Sequence, residues 1–208
     1  MPKIVDKEKM IQSIMQAALR AFIEHGFHKT TMDKIAKEAD IAKGTLYLYF
    51  DSKEILSQSI MNAHFKRLNQ NLMSQNHFET LNALLDHIEQ GLMTSKEDLL
   101  FIPIFFEALG SSFTSKEFSL NIASFFDETG RYYSQHIQSL INQGAINNEI
   151  NPAALGRVLT SMLDGILLHR GLFKLPDERY TEMITEVMNL LRLGLTSKNE
   201  CLSGNTQT

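Results

Sequence analysis

The chain has 208 residues, 43% of them hydrophobic and 21% charged, a composition that can build one or two domains around a sizeable core and excludes wholesale disorder. Its formal net charge of -4 argues against indiscriminate coating of nucleic acid. The single cysteine, Cys201, has no partner for a disulfide within the chain, so a reducing compartment, the cytoplasm, is expected.

No apolar run of signal-peptide length opens the sequence, and none approaches the roughly 18 to 20 residues that a membrane-spanning helix needs. Proline is rare and strand-like alternation almost absent, so the expected fold is all-α. From Lys7 to His25 the apolar residues Ile11, Ile14, Met15, Ala18, Leu19 and Phe22 recur at helical spacing, and Gly26 ends that helix as a left-handed cap. Thr30 or Thr31 caps a short second helix, Met32 to Ala39, with Asp33 placed to complete a capping box from Thr30. A third helix, from Lys43 to Phe50, turns Leu46 and Phe50 inward. Asp51 and Ser52 open a fourth that runs toward Met73, with Ile55, Leu56, Ser59, Ile60, Ala63 and Leu68 as its apolar stripe.

Beyond the polar break "SQNHFET" the helices become more apolar. Leu81, Leu84, Leu85, Ile88 and Leu92 form one stripe, and Leu99 to Phe106 is apolar almost all round, with Pro103 placed to kink it. A helix from about Lys116 to Gln143 ends at Gly144. Pro152 suits the first turn of the next, which runs to about Leu172, and Tyr180 to Leu195 closes the fold. The domains expected are residues 1–53, a small helical head; residues 54–196, a larger helical domain; and residues 197–208, a loose polar tail.

A helix, a tight turn and a second helix at a steep angle form a helix-turn-helix, whose second member can enter a major groove about 12 Å wide. Met32 to Phe50 has that outline. With Leu46 and Phe50 inward, Lys43, Gly44, Thr45, Tyr47 and Tyr49 are left at the exposed face and leading end, where hydroxyls can reach base edges or phosphates. Lys43 and Lys53 offer positive potential to phosphates. The bland alternative is that the tyrosines are packing residues with wet hydroxyls. Up to Glu54 the chain holds nine Lys and Arg against eight Asp and Glu, so any electrostatic attraction is local.

The residues from Ile14 to Leu56 carry a specific likeness. The Ala-Ala-x-x-x-Phe of the first helix, His25-Gly26-Phe27, Thr30-Thr31, Ile35-Ala36, Lys43-Gly44-Thr45-Leu46-Tyr47, Tyr49-Phe50 and Ser52-Lys53-Glu54 run in unbroken order. This segment closely resembles the TetR family of bacterial transcriptional repressors. The resemblance implies phosphate contacts from Thr31, Tyr49 and Lys53 and groove contacts from Lys43, Gly44, Thr45 and Tyr47. Two positions depart from the family pattern: Asp40 stands where the turn usually has Gly, and Ala42 where a Ser or Thr often caps the recognition helix. Aspartate tolerates a left-handed backbone, so the turn is expected to survive.

The resemblance also implies that the second domain binds a small molecule and forms the dimer. Phe101, Phe105, Phe106, Phe113, Phe118, Phe125, Phe126, Tyr132 and Tyr133 crowd one stretch of sequence. They are either core or the lining of a pocket for an apolar or aromatic effector, since pockets are mostly apolar with a few placed polar groups. The effector residues expected are Phe101, Phe105, Glu107, Phe125, Tyr133, Asp164 and His169, with His136 a further candidate. A carboxylate buried against aromatics would favour a lipophilic cation. For the dimer, Leu155, Gly156, Leu159, Met162, Leu163, Gly165 and Ile166 on the penultimate helix and Met183, Val187, Leu190 and Leu191 on the last offer apolar stripes with small residues. A homodimer would place two recognition helices about one DNA turn apart, roughly 34 to 36 Å, on a near-palindrome.

An enzyme reading has little to stand on. His25 and His28 lack a third ligand at metal-site spacing, "SSFTS" and "LSGNT" lack the flanks of a nucleophile elbow, and no glycine loop cradles phosphate. No metal or cofactor is expected. The rival to a regulator is a helical small-molecule carrier or protein-interaction module, which would leave the Lys43 to Tyr49 face without work.

Overall fold

The computed structural model describes residues 7–93, 96–112 and 116–196. Among these the chain forms nine α-helices: α1 (Lys7–His25), α2 (Met32–Glu38), α3 (Lys43–Tyr47), α4 (Lys53–Leu72), α5 (Leu81–Leu92), α6 (Lys96–Ser112), α7 (Lys116–Asn142), α8 (Pro152–Gly171) and α9 (Asp177–Leu195). The only β pairing among the described residues is an isolated bridge between Ile146 and Thr196. No helix among them is long and apolar enough to cross a membrane. The expectations placed on Phe113, Cys201 and the tail fall outside the described residues.

The helix ends follow from local chemistry. Gly26 and Gly144 both take positive φ, 80° and 77°, and so close α1 and α7 as the sequence pattern required. Asn151 caps α8 by accepting from Ala154 N–H at 3.1 Å, with Pro152 in the first turn. Thr80 caps α5 in the same way, and all five residues of the expected α5 stripe are buried. The capping box expected from Thr30 is not formed. Thr31 is the cap of α2, accepting from Lys34 N–H at 3.3 Å, while Thr30 is buried and its hydroxyl faces the carbonyls of Ala21 and Gly26.

Contacts divide the chain into two compact units, and they do so differently from a boundary at residue 53. Among the described residues, one unit holds those up to Leu68 together with Leu100–Ile122; the other holds Asn69–Leu99 and those from Ala123 on. The reason lies in the first core, where Ile14, Ala18, Phe22, Ile35, Leu46, Phe50 and Leu56 are joined by Phe101, Ile104, Ala108 and Phe118. The α4 stripe is also rotated from its expected position. Leu56, Ser57, Ile60 and Met61 are its buried residues, whereas Ile55 and Ala63 face solvent, because α6 and the head helices claim the neighbouring face.

The second unit has its own core. Leu84, Leu85 and Ile88 of α5, Tyr133, Ile137 and Leu140 of α7, Leu159 and Ile166 of α8, and Ile184 and Met188 of α9 make up its centre. Here α8 meets α7 backbone to backbone. A Cβ placed on Gly156 would lie 2.3 Å from the Gly130 carbonyl oxygen and 2.9 Å from the Ser134 nitrogen. The small residue read from the sequence as part of a dimer stripe therefore serves a helix crossing inside the subunit.

Candidate nucleic-acid interface

The turn between α2 and α3 is built by backbone geometry. Ile41 N–H donates to the Ala36 carbonyl at 3.0 Å and Asp40 N–H to the Lys37 carbonyl at 3.2 Å, with Asp40 itself at φ 52°. This is the bonding of a Schellman-type ending with aspartate in the left-handed place that glycine usually holds. The departure at Asp40 thus leaves the turn intact. The departure at Ala42 has a visible effect: it occupies the cap position of α3 with extended backbone, φ -65° and ψ 144°, and makes no side-chain cap bond.

Leu46 is 0% exposed and Phe50 6% exposed, so they anchor α3 on the head core as the spacing predicted. Lys43, Gly44 and Tyr47 are exposed, Thr45 and Tyr49 half-buried. A Cβ on Gly44 would meet nothing within 4 Å, so this stretch of backbone stands open to close approach. Tyr49 differs from its expected freedom, because its ring packs on the head core. Thr31 is exposed at the leading end of α2.

The two lysines are occupied by the chain's own acceptors. Lys43 Nζ lies 2.6 Å from Asp33 Oδ1, and the hydrogen bond and charge of that carboxylate raise the lysine's pKa. Lys53 Nζ donates to the carbonyls of Phe27 at 2.8 Å and Thr30 at 3.0 Å and lies 4.4 Å from the centre of the Phe27 ring. Lys53 therefore clamps the α1–α2 loop to the start of α4, a role that sequence reasoning missed. An ammonium has three donors, so two are committed here.

The same loop is held from the other side. Phe27 N–H donates to Glu107 Oε2 at 2.8 Å, and that oxygen would lie 3.5 Å from a Cβ on Gly26. Glu107, read from the sequence as an effector residue, is thus a tie between α6 and the end of α1. Of the other expected effector residues in this unit, Phe101 is buried and stacks on His64 with centroids 3.8 Å apart, and Phe105 meets Phe65 edge-on at 5.5 Å. In the second unit Tyr133 is buried, Phe125 and Asp164 are half-buried, and His169 is exposed with its ring edge-on to Phe173 at 5.2 Å. Burial lifts the Asp164 carboxyl to about 7, and burial also raises the Tyr133 phenol, with smaller contributions from Tyr132 and from the Asp164 charge. No group of three His, Cys, Asp or Glu that could hold a metal ion occurs among the described residues.

The expected dimer residues need one correction. Leu159 and Ile166 are 0% and 6% exposed within a single chain, because they point into the core of their own subunit. Leu155, Met162, Gly165, Met183 and Val187 are half-buried, and Leu190 is 68% exposed. The apolar side chains that α8 and α9 leave most open are Val158, Leu190 and Leu193. Neither Val158 nor Leu193 stood out in the sequence, since each lies beside a stripe rather than on it.

Comparison with known proteins agrees with this architecture. Residues 14–60 match the family described as bacterial regulatory proteins, tetR family. The HTH-type transcriptional regulator YfiR of Bacillus subtilis (strain 168) is 26% identical over 172 residues, covering 80% of this chain and 83% of that protein. The biofilm operon icaADBC HTH-type negative transcriptional regulator IcaR of Staphylococcus aureus (strain Newman) is 30% identical over 139 residues, 66% of this chain and 72% of that one. In fold, the crystal structure of a TetR transcription regulator from Haloarcula marismortui superposes with a TM-score of 0.78 at 18% identity, covering 91% of this chain and 100% of that one. The head motif, the helical fold and the shared sequence together establish that the chain belongs to the TetR family of helix-turn-helix transcriptional regulators and is not an enzyme.

Proposed function

We propose that this regulator is a repressor that binds a near-palindromic operator as a homodimer and is released by a small apolar or aromatic effector. The observation that carries the DNA-reading part is the exposed arc of Lys43, Gly44 and Tyr47 on a short helix anchored by the buried Leu46 and Phe50. The open backbone at Gly44 suits close approach to a groove, and Lys43 exchanges Asp33 for phosphate on binding. Repression is supported by the likeness to IcaR, which is described as a negative regulator.

The homodimer rests on the open apolar side chains Val158, Leu190 and Leu193 of α8 and α9 and on the family's usual architecture. Coupling to an effector has a physical route within the first unit. An effector that displaces α6 pulls on Glu107, hence on the Phe27 loop that Lys53 and Thr30 also hold, and so on the start of α2. Only an effector with different affinities for the two arrangements can shift them. In the second unit the half-buried Asp164 beside Tyr133 suits the amine of a lipophilic cation better than an anion.

The test is fluorescence anisotropy on DNA from upstream of the protein's own gene, at two salt concentrations, with Tyr47→Ala as control. Selective binding that weakens at least about tenfold in the variant, as loss of one good base-edge contact would, supports the reading. Weak binding that collapses with salt and ignores Tyr47 refutes it.

A further inference from the structure

The helix-turn-helix leaves one large apolar side chain almost entirely in water. Leu48 is 82% exposed, whereas Leu46, two residues earlier, is 0% exposed. This is not fraying. Leu48 keeps helical backbone, φ -70° and ψ -18°, and its N–H donates to the Thr45 carbonyl at 3.2 Å. The side chain therefore continues the helical progression of α3. At 3.6 residues per turn it stands roughly 40° round from Gly44 and about 100° from Tyr47, on the side away from Leu46.

We propose that Leu48 reads a thymine of the operator by packing on its C5-methyl group in the major groove. The inference rests on the DNA-binding reading above and extends it to a residue and a base. A leucine side chain can neither donate nor accept a hydrogen bond, so it gains nothing from phosphate or from the polar edges of the other bases. The thymine methyl is the apolar feature that the major groove displays. Gly44, with open space where its Cβ would be, lets the helix settle deeply enough for a four-carbon side chain beside it to reach base edges. A protein partner fits the surroundings less well, because Leu48 shares its arc with the exposed Lys43, Gly44 and Tyr47, and the other aliphatic of α3, Leu46, is buried.

The experiment begins with duplexes enriched from a random pool by the full-length wild-type protein. Each thymine of the enriched sequence is then replaced singly by deoxyuridine, which removes the methyl group and leaves the hydrogen-bonding edge unchanged. Wild type, Leu48→Ala and Leu48→Met are compared by anisotropy, with melting curves as a check on folding. The expected result is that one symmetry-related thymine position costs wild type and Leu48→Met several-fold on replacement. Leu48→Ala binds the thymine duplex about tenfold more weakly and is indifferent to the replacement. Equal affinity of wild type and Leu48→Ala, or a deoxyuridine penalty that persists in Leu48→Ala, overturns the proposal while leaving specific DNA binding in place. Failure of the wild type to enrich any sequence overturns the DNA-binding reading and this inference together.

Discussion

Removing the Glu107 carboxylate tests the tie between α6 and the head directly. Phe27 N–H has Glu107 Oε2 as its acceptor at 2.8 Å, in a part-buried setting, and the Phe27 ring itself is 1% exposed. A hydrogen bond to a charged group contributes about 1.5 to 3 kcal/mol, and an amide left unsatisfied costs a similar amount. Because Glu107 is on the solvent side, the lower part of that range applies. Glu107→Ala should therefore destabilise by about 1 to 2 kcal/mol, which in a chain of this size lowers Tm by about 2 to 8 °C. Glu107→Gln keeps an acceptor and loses the charge, so roughly half the loss is expected. Thermal melts at pH 7 measure both, and amide exchange at Phe27 reports whether the bond itself has opened. If Glu107→Ala melts with wild type and the Phe27 amide stays equally protected, the tie has no energetic weight and the route from α6 to the loop fails with it.

Ala42→Ser supplies the side-chain cap that α3 lacks, and since the backbone already has extended cap geometry the gain should be about 0.5 to 2 kcal/mol, read as a higher Tm of the free protein; no rise would mean that another group already satisfies those amides. Asp164→Asn probes the half-buried carboxyl that burial lifts from 3.8 to about 7. The folded chain keeps a proton there that the unfolded chain releases, so the aspartate's favourable share is full below pH 4 and is lost as pH rises through 7. The asparagine variant should match wild type near pH 4 and exceed it at pH 8, by less than about 4 kcal/mol at a rate of 1.4 kcal/mol per pH step. An equal difference at both pH values would point to altered packing instead.

Periodic, local features were legible in the sequence. The ends of α1 and the buried stripe of α5 follow from apolar spacing and left-handed glycine, and Leu46 and Phe50 fall inward because their register with α2 leaves no choice. The turn at Asp40 was legible too, since its tolerance of positive φ is a property of the residue. What escaped was long-range. Nothing near Phe27 in the sequence announces a carboxylate 80 residues away, and Lys53 reads as a free surface cation until the carbonyls of Phe27 and Thr30 are brought beneath it. On α8 the apolar content is nearly continuous, so spacing alone could not say that Leu159 and Ile166 serve the core while Val158 is left outside. Leu48 was within reach of a helical wheel, lying on the side opposite Leu46, but its side chain carries no polar group to mark it as a contact residue.

The crossing of α7 and α8 at Gly156 also bears on how such a chain can diverge. Most core positions change by exchanging volume with a neighbouring side chain, so a gain in one place is absorbed by a loss in another. At Gly156 the atoms in the way are the Gly130 carbonyl oxygen and the Ser134 nitrogen, which every residue type possesses. No substitution at 130 or 134 can make room. A lineage that replaces Gly156 has to move one helix against the other in the same step, so position 156 should stay fixed while the side chains around it drift, and a relative with a larger residue there should show α8 displaced from α7.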